Sequence, residues 1–378
     1  MRWFITVFLL IFLFMHLYVY LRFFHIVLRS KKAKILWAFV IFLGFISPFL
    51  WRYADINWNP KITYYVALSG LLWMGFLLYL LLSLLVIELY KALVFLSKKF
   101  FHINPLPTTS KKSLFLLVLV PSFGLSAYSY YETLNLKVER ITLYTDKVSQ
   151  SIKILHISDL HLGPVMGMDK IGLVLEVYER EKPHMVVSTG DLVDGNMRNK
   201  VYLAQALAKI KPPLGKYAIL GNHEYYRGIG QAVDFIQKAG FRLLRDDAIY
   251  IREYNLSLVG IEDDDCRFFK ACVGSLSDKE VLQKAYKNSF VIYLKHKPRI
   301  EEGAEEFFDL MLSGHTHGGV YYPVGRFILT HLFISDRGLH KKGNSYIYIS
   351  KGVGTGGPPM RLFSSPDVAV IEILKPDR

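Results

Sequence analysis

Cysteine is almost absent: the 378 residues hold two, Cys266 and Cys272, six positions apart. That spacing excludes a zinc finger, which needs more ligands in another arrangement. The two thiols are either free or joined in one disulfide, and they do not define a compartment. Charged residues are also scarce at 21%, against 52% hydrophobic, a balance foreign to a wholly soluble chain. Acidic residues are outnumbered, 32 against 46 basic, for a net charge of +14. Such an excess invites a nucleic-acid reading, yet no nucleic-acid module is present. The cations gather instead beside apolar segments, as in Arg29-Ser30-Lys31-Lys32-Ala33-Lys34 and Lys98-Lys99, where they suit anionic headgroups or topology. The chain has no internal repeat and no low-complexity tract. Gly352 to Gly357 is not a nucleotide loop, because no Lys-Ser or Lys-Thr follows it.

Long apolar runs fill the first third. Four stand out, at Trp3 to Leu28, Ile35 to Trp51, Ile62 to Ile87 and Leu114 to Tyr131. A helix needs about twenty mainly apolar residues to cross a bilayer. The first and third reach that, and the second and fourth are near the lower limit. Trp51, Trp58, Tyr64, Tyr65, Tyr128, Tyr130 and Tyr131 cluster near the ends, as interfacial aromatics do. The first segment is too long for a cleaved signal peptide and lacks a small-x-small exit. The sequence therefore predicts a multi-pass membrane anchor over 1–133, a linker over 134–151 and a globular domain over 152–378. Asn104 to Thr109 reads as a loop of the anchor. Lys and Arg favour the first loop (Arg29, Lys31, Lys32, Lys34) and the third (Lys91, Lys98, Lys99, Lys111, Lys112) over the second (Arg52, Lys61 against Asp55). Positive-inside logic then puts the N-terminus and the globular domain outside the cytoplasm.

In the globular part, polar blocks follow short apolar runs. The runs are Ile152 to Ile157, Met185 to Val187, Tyr217 to Leu220, Phe290 to Leu294 and Phe308 to Leu312, which read as buried strands. The blocks are Asp159-Leu160-His161, Gly190-Asp191, Gly221-Asn222-His223-Glu224, His296 and Gly314-His315-Thr316-His317. They place aspartate, asparagine and histidine at strand ends, where ligands gather in layered α/β folds. Nitrogen and oxygen donors without thiolate suit a pair of divalent ions such as manganese, iron or zinc. Helices are expected over Met168 to Glu181 and Gly230 to Ala239. His16, His25, His156 and His184 read as structural, His331 and His340 as histidines that could reach the substrate pocket, and Asp263-Asp264-Asp265 as a turn after the run Leu256 to Ile261.

Taken with Gly190-Asp191-Leu192-Val193-Asp194, Gly314 to Gly319 and the tail Ser350 to Gly354 and Pro359-Met360-Arg361, the array resembles the calcineurin-like metallophosphoesterase superfamily, in its bacterial membrane-associated branch. The resemblance covers roughly residues 150 to 375. One departure is Val320, where that branch carries Gln. The resemblance implies an α/β domain of the four-layer α/β/β/α sandwich type behind an all-α anchor of about four transmembrane helices. It implies two divalent metal ions, one held by Asp159, His161, Asp191 and His317, the other by Asp191, Asn222, His296 and His315. A metal-bridging hydroxide would attack phosphorus, and His223 would face the leaving oxygen. Arg326, Arg337 and Arg361 could offer a fork to a phosphate.

The expected activity is metal-dependent hydrolysis of a phosphodiester or pyrophosphate at the bacterial inner membrane, on a lipid-linked or small phosphoester. Alternatives are UDP-diacylglucosamine pyrophosphate hydrolysis in lipid A synthesis, or a catalytically weak membrane scaffold or sensor. The apolar stretch Val320, Tyr321, Tyr322, Phe327, Ile328, Leu332 and Phe333 is expected to divide between strands of a second sheet and an acyl-binding surface. Nothing in the sequence fixes an oligomeric state.

Overall fold

The structure is a computed structural model that describes residues 2–26, 30–101, 110–274 and 277–376. Arg29, the side chain of His25 and the loop 104–109 lie outside the described residues. The chain divides into two compact units, Met1–Tyr131 with Gly357–Met360, and Glu132–Gly356 with Arg361–Arg378.

The first unit is helical: α1 (Arg2–Ile26), α2 (Lys31–Asn57), α3 (Pro60–Phe101) and α4 (Lys111–Glu132). All four are long and apolar enough to cross a membrane. The last three outrun the apolar segments that announce them, because capped polar flanks continue the helix. Ser30 Oγ accepts from the Ala33 amide at 3.1 Å, and Asn59 Oδ1 from Lys61 at 2.9 Å, satisfying amides that a helix start leaves orphaned. At 42 residues and 1.5 Å per residue, α3 is roughly 63 Å long. That is twice the ~30 Å hydrocarbon core, more than a single span requires. The helices pack through Phe12, Val19, Ile41, Leu77, Leu80 and Leu84. His16 accepts from Trp73 Nε1 at 3.0 Å and lies 2.8 Å from the Phe12 carbonyl, the packing role expected of it.

The second unit begins with β1 (Lys137–Tyr144), β2 (Ile152–Ile157), α5 (Met168–Glu181), β3 (Met185–Ser188), α6 (Val201–Leu207), β4 (Lys216–Ala218), α7 (Asn222–Arg227), α8 (Ile229–Lys238) and β5 (Arg242–Leu243). It continues with β6 (Asp247–Ile251), β7 (Leu256–Gly260), α9 (Asp265–Phe268), α10 (Asp278–Leu282), β8 (Phe290–Leu294), β9 (Leu310–Ser313), α11 (Val324–Leu332), β10 (Gly338–Lys342), β11 (Ser345–Ile349) and β12 (Asp367–Leu374). Two six-stranded sheets form, in the orders β1-β12-β2-β3-β4-β5 and β10-β11-β9-β8-β7-β6.

Period-2 alternation sorts the side chains into three cores. In β2, Ile152 and Ile154 enter the core between the sheets, while Leu155 and Ile157 enter the core under α5, α6 and α8. In β8, Phe290, Ile292 and Leu294 face between the sheets, while Val291 and Tyr293 face the layer of α10. Burial on both faces is why these strands read as unbroken apolar runs, and the result is the four-layer α/β/β/α sandwich.

Two expectations fail here. The stretch read as a linker, 134–151, contains β1, an edge strand parallel to β12 with Lys137 opposite Asp367. Its pairing partner lies more than 200 residues away, so no local pattern announces it, and only residues 133–136 join α4 to the sheet. The apolar stretch 320–333 supplies no strand of the second sheet: it forms a turn and α11. The two cysteines form a disulfide.

Candidate metal centre

Every ligand candidate stands just past the carboxyl end of a strand. Asp159 and His161 follow β2, Asp191 follows β3, and Asn222 opens α7 after β4. His296 follows β8, and His315 and His317 follow β9. Adjacent strands in both sheets thus aim their turns at one place. The turns interlock through the backbone. The His161 amide donates to the Asp191 carbonyl at 2.9 Å, and His223 N donates to Asp191 Oδ1 at 2.8 Å. His315 N donates to both carboxylate oxygens of Asp159, at 3.1 and 3.0 Å.

Five of the seven candidates have left-handed φ: Asp159 52°, His161 49°, Asp191 51°, His315 71° and His317 49°. A non-glycine residue there carries ~1–3 kcal/mol of strain, which persists where function requires it. Gly221 allows a close approach of two ligand turns. A Cβ on it would stand 2.7 Å from Asp191 N and 2.8 Å from His296 Cε1.

The side chains form two clusters whose donor atoms lie within 4.8 Å of one another: Asp159, His161 and His317, and Asp191, His296 and His315. In the first, His161 Nε2 faces His317 Nε2 at 3.0 Å and Asp159 Oδ1 at 3.8 Å. In the second, His296 Nε2 lies 3.2 Å from Asp191 Oδ2, 3.1 Å from Asn222 Oδ1 and 3.2 Å from His315 Nδ1. Asp191 Oδ2 also lies 3.7 Å from His161 Nε2, so one carboxylate stands between the clusters. His296 Nδ1 donates to the Thr189 carbonyl at 2.8 Å, which turns Nε2 inward as a ligand.

The donor set fits divalent cations. Imidazole nitrogens that face one another at hydrogen-bond distance, beside two buried carboxylates, call for shared positive charge. Burial opposes charge on His161, yet Asp159 and Asp194 hold its imidazole up to about 10. Burial likewise opposes charge on His296, which Asp191 holds up to about 10. Asp191 itself is kept well below the usual carboxylate range: burial opposes this, but His296, His223 and His161 outweigh it. Burial, then His296, pushes His315 down to about 3, and burial pushes His317 well down.

His223 belongs to neither cluster. Its Nδ1 donates to Asp194 Oδ1 at 2.8 Å, which leaves Nε2 free. Burial disfavours its charge, but Asp191 and Asp194 raise its pKa. Asp194 also receives Arg227 at 2.6 Å and stands 3.5 Å from His161 Nδ1.

Asp194 and Glu224 were present in the motifs but carried no predicted role. The buried Glu224 carboxylate accepts amides of Gly221, Asp191 and Val193 at 2.7, 2.9 and 3.0 Å, clamping two ligand turns together. Burial, then Asp191, pushes its pKa up to about 7. An acid in the first turn of a helix was the available signal.

The glycine run 352–356 backs the site. Val353 N donates to the Ser158 carbonyl at 3.0 Å and Gly354 N to the Asp159 carbonyl at 2.7 Å. Gly352, at φ 75°, comes so close to Asp159 that a Cβ would meet its Cβ at 2.6 Å.

Two of the three arginines depart from expectation. Arg361 is fully buried and cannot meet a substrate. Its Nη2 donates to the Gly352 carbonyl at 3.0 Å and to the Gly354 carbonyl, and lies 3.0 Å from His317 Nδ1. It braces that ring from behind. Arg337 is held by Asp336 at 2.9 Å and by the carbonyls of Phe363 and Gly318. Arg326 alone of the three keeps an exposed guanidinium, 3.8 Å from Asp336. Because supports behind a metal ligand typically contribute 10–100-fold in metal affinity, Arg361→Gln is expected to weaken manganese binding by about that factor. At saturating metal kcat should change little. A manganese titration followed by turnover separates the two, and unchanged affinity would remove the bracing role.

The remaining histidines lie elsewhere. His156 meets Thr189 at 2.8 Å, His184 accepts from Lys153 N at 2.9 Å, and His331 and His340 face carbonyls of Phe327 and Arg337. Asp263 pairs with Lys297 at 2.7 Å, in the turn expected there.

The sequence profile of the calcineurin-like phosphoesterase family matches residues 152–319. A protein of Aquifex aeolicus named as an uncharacterized metallophosphoesterase is 52% identical over 252 residues, covering 66% of this chain and 96% of that protein. A Danio rerio protein named as a transmembrane protein with metallophosphoesterase domain is 27% identical over 250 residues, 62% of this chain and 56% of that protein. Among solved structures, a 5′-nucleotidase precursor of Thermus thermophilus overlaps with a TM-score of 0.36 at 14% identity. It covers 59% of this chain and 54% of that one, a likeness too low to bear on substrate.

Proposed function

The chain belongs to the calcineurin-like phosphoesterase family, metal-dependent phosphoric ester hydrolases, and from that premise we propose that it cleaves a phosphodiester or pyrophosphate carried by a lipid. The observation that carries the hydrolase reading is the Asp191 carboxylate, 3.2 Å from His296 and 3.7 Å from His161, shared between two ligand clusters. Asp159, His161 and His317 would hold one divalent ion, and Asn222, His296 and His315 the other, with Asp191 common to both. When bound, such a pair supplies a nucleophile from water near neutral pH and neutralises the phosphoryl oxygens. His223 presents Nε2 to the leaving oxygen and delivers its proton there. Asp194 fixes the ring's orientation and keeps it protonated, and Glu224 holds the Asp191 and Asn222 turns in register. Manganese, iron and zinc all suit these donors.

Support for a lipid-linked substrate is the set of four bilayer-length helices and the connector of only residues 133–136. The relatives' names carry no substrate, and nothing favours UDP-diacylglucosamine over other lipid pyrophosphates. In mixed micelles, a lipid phosphodiester is expected to be cleaved with higher kcat/KM than its short-chain soluble analogue, and with dependence on surface concentration. Equal or better turnover of the soluble analogue would instead indicate a nucleotide or small diester.

The charge bias of the helix flanks supports an extracytoplasmic catalytic unit. A reporter active only outside the cytoplasm is expected to work when fused after Arg378 and to be silent near Lys98. The reverse pair of results would invert the orientation.

A further inference from the structure

Helix α11 turns its apolar face outward. Val324, Phe327, Ile328 and Leu332, with His331 among them, fall at i, i+3, i+4 and i+8, the stripe a globular helix directs to its core. Here that stripe is accessible: Val324 64%, Phe327 70%, Ile328 54% and Leu332 52%. The inward side is formed by Gly325 and Leu329, and Gly325 lies against the Gly319 carbonyl. Four large apolar side chains on one exposed face mark a surface that something covers.

Three observations say what covers it. The same chain carries four helices long and apolar enough to span a bilayer. The border of the stripe is cationic. Exposed Arg299 stacks 4.5 Å from the centre of the Phe333 ring and donates to the Leu332 carbonyl at 2.9 Å. Exposed Arg326 lies on the same helix, and the carboxylate 3.8 Å from it, Asp336, is shared with Arg337. An apolar stripe edged by arginine is the make-up of a helix that lies in the interface of an anionic membrane. Finally, the helix adjoins the metal centre. It starts seven residues after His317, and the Phe333 ring that ends it is 5.2 Å from the His315 ring.

We propose that α11 is an interfacial helix. Phe327, Ile328 and their neighbours sit at the acyl boundary of an anionic bilayer, Arg299 and Arg326 meet lipid phosphates, and the mouth of the metal site is held at headgroup level. The proposal rests on the bilayer setting proposed above, and not on turnover or on the identity of the substrate.

The test uses the full chain in nanodiscs of phosphatidylcholine and phosphatidylglycerol. The native cysteines are tied in a disulfide, so a single introduced thiol can be labelled with an environment-sensitive fluorophore. Phe327→Cys, Ile328→Cys and Leu332→Cys are read against Asp234→Cys on α8. The three α11 labels are expected to emit at shorter wavelength and to be quenched by acyl-chain doxyl lipids several-fold more strongly than the α8 label. Water-like, unquenched emission at all three would overturn the proposal. A blue shift that escapes lipid quenching and grows with protein density would assign the face to a second copy of the chain, and would overturn it equally. Folding is checked by helix content and monodispersity, since all three positions are exposed and tolerate exchange. Quenched labels on a protein that cleaves no phosphoester would leave this inference standing and sink the hydrolase reading, and the converse result would do the reverse.

Discussion

Asp191→Ala is expected to fold, to retain few metal ions, and to cleave an aryl phosphodiester more slowly by roughly 10³-fold or more. The magnitude follows from losing several kcal/mol of transition-state charge stabilisation, at about 1.4 kcal/mol per factor of ten. The cause is position. Asp191 Oδ2 is the atom that reaches both His161 and His296, so its removal affects both clusters at once. Substitution of Asp159 or His315 touches one cluster each. Asp191→Asn separates charge from shape, because an amide oxygen can still accept from His223 N, as Oδ1 does at 2.8 Å. It should fold as well as the wild type and still lose metal. Elemental analysis checks both variants. Full metal content in Asp191→Ala would remove the shared-ligand assignment.

His223→Ala is expected to keep its metal and lose roughly 10²–10⁴-fold in kcat, the span of general acid catalysis. The ring lies outside both clusters, with Nδ1 engaged by Asp194. The loss should shrink for a nitrophenol leaving group, which departs without a proton, and be greatest for an alkoxide. Asp194→Asn should follow the same leaving-group pattern with a smaller loss, since the imidazole remains but is less firmly oriented and protonated. An equal loss across good and poor leaving groups would argue against proton donation.

Legibility in the sequence followed how local the physics was. The strands Ile152–Ile157 and Phe290–Leu294 were readable to the residue because both faces of each are buried. Helix α5 was equally clear, with its apolar face at helical spacing. The candidate ligands were readable because each short block of them sits in one strand-end turn. Strand β1 was not, since KVERITLY mixes charge with β-branched residues at a sheet edge and pairs with β12 far along the chain. Arg361 was misread for a related reason. Its type suggests phosphate, but only the fold reveals that the guanidinium is enclosed by the carbonyls of Gly352 and Gly354. The arginine to look for at a phosphate is the exposed one, Arg326. Asp194 and Glu224 act through hydrogen bonds set by tertiary placement, so motif reading carried them along without a role. In α11, aromatic and branched side chains suggested strand, while the three-and-four spacing of Val324, Phe327, Ile328 and Leu332 was the better guide.

The central claim is that two divalent ions, held by these seven side chains, make this chain a phosphoester hydrolase. The most direct measurement strips the purified full-length protein with chelator, titrates manganese back, and records bound metal and turnover of an aryl phosphodiester together. The expected result is no turnover in the stripped protein, and full recovery as bound metal approaches two ions per chain. Turnover that persists in the metal-free protein, or full metal occupancy with no turnover of any phosphoester, would contradict it.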